Sequence, residues 1–277
     1  MRIKMWGVRG SIPTPGPGTV EFGGNTSCYE VRCGDTLIIL DGGTGLRLLG
    51  QDLLKQMPFE AWMFFSHVHW DHIQGFPFFT PAFVRGNKIH LYGGLNVSRT
   101  LEETLAGQMD YPSFPVHLSE MGAAMTFRDL YEGETITIGP KSDVTVTNAR
   151  GNHPNGVYAY RIEHGGKSVA YITDSEHYAI VDPKLKKLAM GADVLIFDAM
   201  YTPEEYAGLV GGGAKTGWGH ATFEAGCELA KAASAKSLVL HHHDPSQSDE
   251  MVRDKERRAQ ALFPSTIAAR EGMVLEP

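Results

Sequence analysis

Residues Ser66-His67-Val68-His69-Trp70-Asp71-His72 place four potential metal ligands, spaced HxHxDH, directly after an apolar run, Ala61-Trp62-Met63-Phe64-Phe65. The run reads as a buried strand, so the ligands fall on the turn that follows it, above a rigid sheet edge. His67 and His69 are two apart and share one side of an extended backbone. Asp71 and His72 come after the turn and can face a second ion. Three imidazoles and a carboxylate are costly to bury without partners. A pair of metal ions is therefore the expectation, and catalysis its purpose. A solvated histidine-rich loop fits less well, because a strand of aromatics leads straight into the cluster.

The rest of the chain bounds what such a centre can serve. Its 277 residues suffice for one large core or two small ones, and we read them as one unit over 1–277. A net charge of −7 argues against a protein built to grip a nucleic-acid backbone. Cys28, Cys33 and Cys227 are odd in number and form no CxxC pair, which predicts packed thiols in a reducing compartment. The opening Met1–Trp6 reads as a strand and not as a signal peptide. No run of 18 or more apolar residues follows, so the expectation is a cytoplasmic protein with no membrane partner.

Hydrophobic patterning predicts strands over Arg2–Trp6, Cys28–Cys33, Thr36–Leu40, Trp62–Phe65, Lys88–Leu91, Thr135–Ile138, Val144–Asn148, Val157–Ile162, Ser168–Ile172, Val194–Phe197 and Ser237–Leu240. It predicts helices over Leu46–Gln56, Ser98–Ala106, Pro183–Ala189, Thr222–Ala233 and Asp249–Leu262, with Thr222 as an N-cap. The strands fall into two groups, each closing with helices. That pattern predicts an α/β fold of two sheets packed face to face with helices outside, a four-layer αββα sandwich. No internal repeat is visible.

Later strands end in further ligand types. His153 lies in Gly151-Asn152-His153-Pro154, Asp174 in Tyr171-Ile172-Thr173-Asp174-Ser175, and three histidines in Leu238-Val239-Leu240-His241-His242-His243-Asp244-Pro245. Taken singly, each is an ordinary loop or capping residue; in series, each follows a strand, as in sheet-based active sites. The ordered set of HxHxDH, His153, Asp174 and a late histidine resembles the metallo-β-lactamase superfamily over essentially the whole chain. The resemblance implies the αββα sandwich of that type, with two divalent ions at one edge of the sheets. It implies that His67, His69 and His153 hold one ion and that Asp71, His72 and a terminal histidine hold the other, with Asp174 between them. Imidazole and carboxylate ligands without cysteine suit Zn, with Mn or Fe as alternatives.

The segment Trp218-Gly219-His220-Ala221-Thr222, followed by a helix and then LVLHHHDP, is similar to the ribonuclease Z and small-molecule phosphodiesterase branch. Phe22-Gly23-Gly24-Asn25-Thr26-Ser27-Cys28 is similar to an early segment of that branch. Aligning LVL and the proline implies His242 as the terminal ligand, although strand alternation groups His241 with His243 and sets His242 apart. Asp198 falls where the branch carries an acidic partner for His220. The branch's ribonuclease Z members carry a transfer-RNA-binding arm between the lone histidine and the bridging aspartate. Here His153 and Asp174 are only 21 positions apart, and two predicted strands fill the gap. The expected substrate is therefore a small phosphodiester, such as a nucleotide, cyclic nucleotide or cyclic phosphate, and a homodimer is implied by the resemblance alone.

The expected chemistry is hydrolysis, with Asp71 orienting the attacking water and His220, held by Asp198, donating to the phosphate or the leaving oxygen. A thioester, lactone or β-lactam hydrolase and a diiron redox module are the alternatives on the same scaffold; the redox branch usually has Glu where His69 stands. Four features stay outside this scheme. The run Gly211–Gly217 contains Lys215 but lacks a P-loop pattern, so it reads as a flexible loop with a weak phosphate candidate. Arg9 is a similarly weak candidate, read as a surface residue. The stretch between His72 and His153, which are 81 positions apart, holds Phe76-Pro77-Phe78-Phe79 and Tyr111-Pro112-Ser113-Phe114-Pro115. Those aromatics read equally as substrate wall, dimer contact or core. Trp70, inside the motif, has no assigned role beyond packing near the metals.

Overall fold

The computed structural model describes residues 1–94 and 98–277. Strands β1 (Arg2–Gly7), β2 (Cys28–Cys33) and β3 (Thr36–Leu40) lead into helix α1 (Gly45–Leu53). Strand β4 (Glu60–Phe65) runs into the short helix α2 (Trp70–Ile73), and β5 (Lys88–Gly94), α3 (Leu101–Gly107) and β6 (Ala124–Leu130) follow. Next come β7 (Thr135–Ile138), β8 (Val144–Gly151), β9 (Val157–His164), β10 (Lys167–Ile172) and α4 (Pro183–Ala189). The chain closes with β11 (Val194–Asp198), α5 (Pro203–Tyr206), α6 (Phe223–Ala232), β12 (Leu238–His241), α7 (Asp249–Leu262), β13 (Thr266–Ala268) and β14 (Val274–Leu275).

Two seven-stranded sheets result, in the orders β14-β1-β2-β3-β4-β5-β6 and β13-β12-β11-β10-β9-β8-β7. Each has an antiparallel half and a parallel half: pairings are antiparallel from β14 through β3 and from β7 through β10, and parallel from β3 to β6 and from β10 to β13. The central strands of the parallel halves, β3, β4, β10, β11 and β12, are buried nearly throughout because both of their faces are covered. In β3, Ile38 and Leu40 enter the core between the sheets, while Leu37 and Ile39 pack under α1 in a second core. In β11, Val194 and Ile196 face inward, and Leu195 and Phe197 pack under α4 and α6 in a third. Three cores make four layers, the αββα sandwich that the strand grouping predicts.

The predicted strands all form, several of them one to three residues longer. Three strands escape the hydrophobic pattern. β6 carries Arg128 and Asp129, and its exposed and half-buried residues alternate as befits a sheet edge. β13 and β14 are only three and two residues long, too short for any periodicity. The predicted Ser98–Ala106 helix begins at Leu101, where the Thr100 side chain accepts from Glu103 N at 3.1 Å as the N-cap. Thr222 caps α6 by accepting from Ala225 N at 3.3 Å. Phe76 and Phe79 are core, while Phe78 and Tyr111 are exposed. Among the described residues no helix is long and apolar enough to cross a membrane.

The inter-sheet core sets stability. Phe64 is fully buried there, stacked on Tyr92 at 4.7 Å and edge-on to Tyr160 at 5.3 Å. Phe64→Ala is expected to cost about 3–5 kcal/mol. Urea unfolding should show a lower midpoint at unchanged slope.

Candidate metal centre

The strand ends that carry the candidate ligands all open on one edge of the sandwich. After β4 the chain turns so that His67 Nε2 and His69 Nδ1 lie 3.0 Å apart, and His153 Nε2, in the loop after β8, comes within 3.0 Å of the same His69 atom. His69 is the N-cap residue of α2, with extended backbone, which lets its ring turn back beside His67. Burial pushes the pKa of His67 well below the ordinary imidazole value, lowers that of His69, and takes His153 down to about 4. The three rings are thus neutral, with lone pairs converging on one point.

A second set lies alongside. His72 Nε2 stands 3.2 Å from Asp71 Oδ2 and 3.3 Å from Asp174 Oδ1. His242 Nε2 stands 3.1 Å and 3.2 Å from the same two oxygens. The other Asp174 oxygen, Oδ2, faces the first set, 3.6 Å from His67 and 3.8 Å from His153. One carboxylate therefore presents one oxygen to each set. Burial opposes the ionisation of Asp71 and Asp174, and the imidazoles beside them outweigh it, holding both carboxyls well below the usual range. Two buried carboxylates this close demand positive charge: burial works against a charged His72 ring, but Asp71, Asp174 and Asp41 outweigh it and hold its pKa well above the ordinary imidazole value, and divalent ions would meet the same demand. The donor types and their mutual distances of under 4.8 Å fit such ions.

The backbone is shaped around these rings. His242 departs from strand alternation because β12 ends at His241 and His242 takes a left-handed φ of 60°, which turns its ring into the site. Its flanking residues go elsewhere: His241 bonds Tyr29 Oη at 2.8 Å between the sheets, and His243 bonds Ala269 O at 3.0 Å. A side chain at position 10 would come within 2.3 Å of the His242 ring, so only glycine fits there. Gly219 is restricted likewise, with φ of 87° and the His153 ring 2.1 Å from where a Cβ would be.

Sequence reasoning missed the residue that orients the second set. Asp41, at the end of β3, is 1% exposed. Its Oδ1 accepts from Ser66 N at 2.7 Å. Its Oδ2 lies 2.8 Å from His72 Nδ1 and accepts from Ser66 Oγ at 2.8 Å and from Tyr171 Oη at 2.7 Å. This leaves His72 Nε2 as the nitrogen aimed into the site. The signal was available, since Asp41 follows an apolar strand as Asp174 does. Glu176 was missed too; it accepts from Gly217 N at 2.8 Å and Gly219 N at 2.9 Å, and so fixes the carbonyl of Gly219, which bonds His153 Nδ1 at 2.8 Å.

His220 Nδ1 lies 3.0 Å from Asp198 Oδ2, and the His220 ring stacks on His242 at 4.9 Å. Burial works against a charged ring here, but Asp198 and the site carboxylates prevail and raise its pKa to about 9. With Nδ1 committed to Asp198, the Nε2 side serves the opening. That opening is a depression of about 300 Å³ lined by Ser11, Trp70, Pro154 and Trp218 together with His69, Asp71, His153, Asp174 and His220. A larger cavity of about 740 Å³, which His67 also lines, adjoins it along His69 and His153.

Three expectations need correction. Arg9 is fully buried and not at the surface: it donates to Gly23 O, Asp244 O and Gln247 O, tying β1 to the chain before α7. Lys215 turns back on its own loop, 3.2 Å from Gly211 O and over the Trp218 ring at 4.5 Å. Trp70 is not packed near the ligands but 81% exposed at the rim of the depression.

Two outcomes follow. Asp41→Asn is expected to weaken metal affinity by roughly 10–100-fold, read by titrating metal-free protein against a chromophoric chelator. A lowered pKa keeps an imidazole in its neutral, ligating form to lower pH. Metal release from the His67, His69 and His153 set should therefore set in towards about pH 4, the value for His153, and not near the ordinary ~6.5; metal content after dialysis across that range checks it.

The model of the Beta-lactamase superfamily domain family matches residues 37–243, three-quarters of the chain. Ribonuclease Z of Bacillus subtilis is 24% identical over 248 residues, covering 75% of this chain and 78% of its own. The metallo-beta-lactamase fold protein YhfI of Bacillus subtilis superposes with a TM-score of 0.72 at 21% identity, covering 100% of this chain and 98% of its own. A solved diphosphatase of the PhnP family superposes with a TM-score of 0.71 at 18% identity, covering 100% of this chain and 97% of its own. The chain thus belongs to the metallo-β-lactamase superfamily and is a metal-dependent hydrolase, similar to the ribonuclease Z and the PhnP-family diphosphatase above.

Proposed function

We propose that the protein is a phosphodiesterase acting on a small phosphodiester: a nucleotide, cyclic nucleotide or cyclic phosphate. The observation that carries this reading is the pair of donor sets sharing Asp174, with His220 braced by Asp198 at the rim of the same depression. In the proposal His67, His69 and His153 hold one ion, Asp71, His72 and His242 hold a second, and Asp174 serves both. Zn is the first choice, with Mn or Fe as alternatives. Three buried free thiols support a reducing, cytoplasmic setting. A homodimer belongs to the proposal on the resemblance alone, as does action by residues 1–277 as one unit.

Divalent ions held by these residues would supply Lewis acidity towards phosphate oxygens and would lower the pKa of a bound water. The protein's own groups do the rest. Asp71, steadied by Ser11 N at 2.8 Å, accepts a hydrogen bond from the attacking water and orients it. Asp198 keeps the His220 ring in one orientation, with its Nε2 side towards the substrate. From there His220 donates a hydrogen bond to the phosphate or a proton to the leaving oxygen.

The ribonuclease Z relative supports a second reading, an RNA substrate. Against it stand the net charge of −7 and the β9–β10 hairpin, which takes up most of the chain between His153 and Asp174.

The test is turnover of a chromogenic phosphodiester by protein loaded with Zn, Mn or Fe, beside a short single-stranded RNA. His220→Ala should lower turnover by about 10²–10⁴-fold with metal content retained. Loss of metal in that variant would make His220 a ligand. Cleavage of the RNA alone would select the second reading, and hydrolysis of a thioester or lactone alone would move the activity to carboxyl esters. A visible iron band without hydrolysis would select the redox module.

A further inference from the structure

We propose that Trp70 and Trp218 form the two lips of a nucleobase slot, so that one ester arm of the substrate carries a planar aromatic base. This rests on the phosphodiesterase reading and narrows it. Trp70 is 81% exposed and Trp218 57%, although tryptophan is on average a well-buried residue. Both line the depression that opens onto His69, Asp71, His153, Asp174 and His220. The chain's other two tryptophans are placed otherwise: Trp62 is buried in the inter-sheet core, and Trp6 donates from Nε1 to Glu30.

The two indoles come from opposite sheets. Trp70 is the first residue of α2, between His69 and Asp71, so its backbone is held wherever those two residues are held. Trp218 precedes Gly219, which is pinned by Glu176 and by His153. Each indole is therefore presented by a fixed backbone and covers little of the protein. Lys215 lies over one face of Trp218 and leaves the other for a stacking partner.

The rest of the lining selects the partner. Apart from Pro154, it is serine, histidine and aspartate. A lipid chain would find no enclosed aliphatic wall in so open and polar a depression. A planar base needs only a face to stack on, and its polar edges tolerate water. The indoles stand beside the groups proposed to act on the phosphate, which is where the base of a nucleotide would lie.

The experiment compares adenosine 5′-monophosphate with ribose 5-phosphate, product-like ligands that differ only in the base, on metal-loaded protein. Binding is read by calorimetry and by quenching of indole fluorescence. The slot predicts roughly tenfold tighter binding of the nucleotide, with quenching that ribose 5-phosphate does not cause. In Trp70→Ala and Trp218→Ala the preference should fall towards unity, while Trp70→Phe and Trp218→Phe keep part of it. Both side chains are exposed, so circular dichroism should show all four variants folded. Equal affinities in the wild type, or a preference that survives both alanine substitutions, would overturn the slot. So would a change in sedimentation of the variants with the preference intact, which would make the indoles a contact between copies. Turnover of the chromogenic phosphodiester is scored separately: its presence without a base preference removes the slot and keeps the phosphodiesterase.

Discussion

A single buried carboxylate, Asp41, joins the two sheets beneath the metal centre. It is held by Ser66 from the motif loop and Tyr171 from β10, and it meets His72 at 2.8 Å. Tyr171 belongs to the second sheet and Asp41 to the first, so the bond between them fixes the spacing of the sheets where the ligands emerge. A hydrogen bond exposed to water would add little, but in a dry interior a buried acceptor with every donor in place is held strongly, and an unpaired one is expensive. Removing any one partner thus costs more than that bond alone. The geometry of the second donor set inherits this rigidity, because the Nε2 direction of His72 is settled by what Asp41 does to Nδ1.

The two halves of the fold repeat this device, although the sequence shows no repeat. Each sheet passes from antiparallel to parallel pairing at its fourth strand, β3 in one and β10 in the other. An aspartate follows each of those strands, Asp41 directly after β3 and Asp174 two positions past the end of β10. Both are buried, and both take a left-handed φ, 59° and 47°. One orients a ligand and the other is placed to be one. Spacing and side-chain pattern conceal the correspondence because the first sheet borrows β14 from the far end of the chain, which puts the halves out of step.

Strands buried on both faces were legible as continuous apolar runs, and the ligand types at their ends were legible as a series. The unread portions share a cause, which is dependence on partners distant in the chain. Asp41 looks like any aspartate after a strand until Ser66 and Tyr171 are seen to surround it. Arg9 looks like a surface arginine because its acceptors Asp244 and Gln247 lie more than 230 positions away. β13 is a strand only because β12 runs beside it. Trp70 shows the converse: its neighbours in sequence are buried, so packing was the natural reading, yet a helix one turn long leaves its first side chain outside.

His242 is the case where local rules and the site conflict, and the conflict extends beyond one residue. Among the described residues seven non-glycine positions have positive φ, and four of them, Ser11, Asp41, Asp174 and His242, bear on the metal centre. Each such conformation costs about 1–3 kcal/mol outside glycine and persists only where the surroundings over-determine it. Here they do. Ser11 offers its N–H to Asp71, Asp41 accepts from three residues, Asp174 faces both donor sets, and the His242 ring packs against a glycine that leaves it room. Left-handed turns at strand ends point side chains where a straight continuation would not. The sandwich supplies a stiff frame, and strain confined to its edge brings candidate ligands from four separate loops, those after β4, β8, β10 and β12, together at one site.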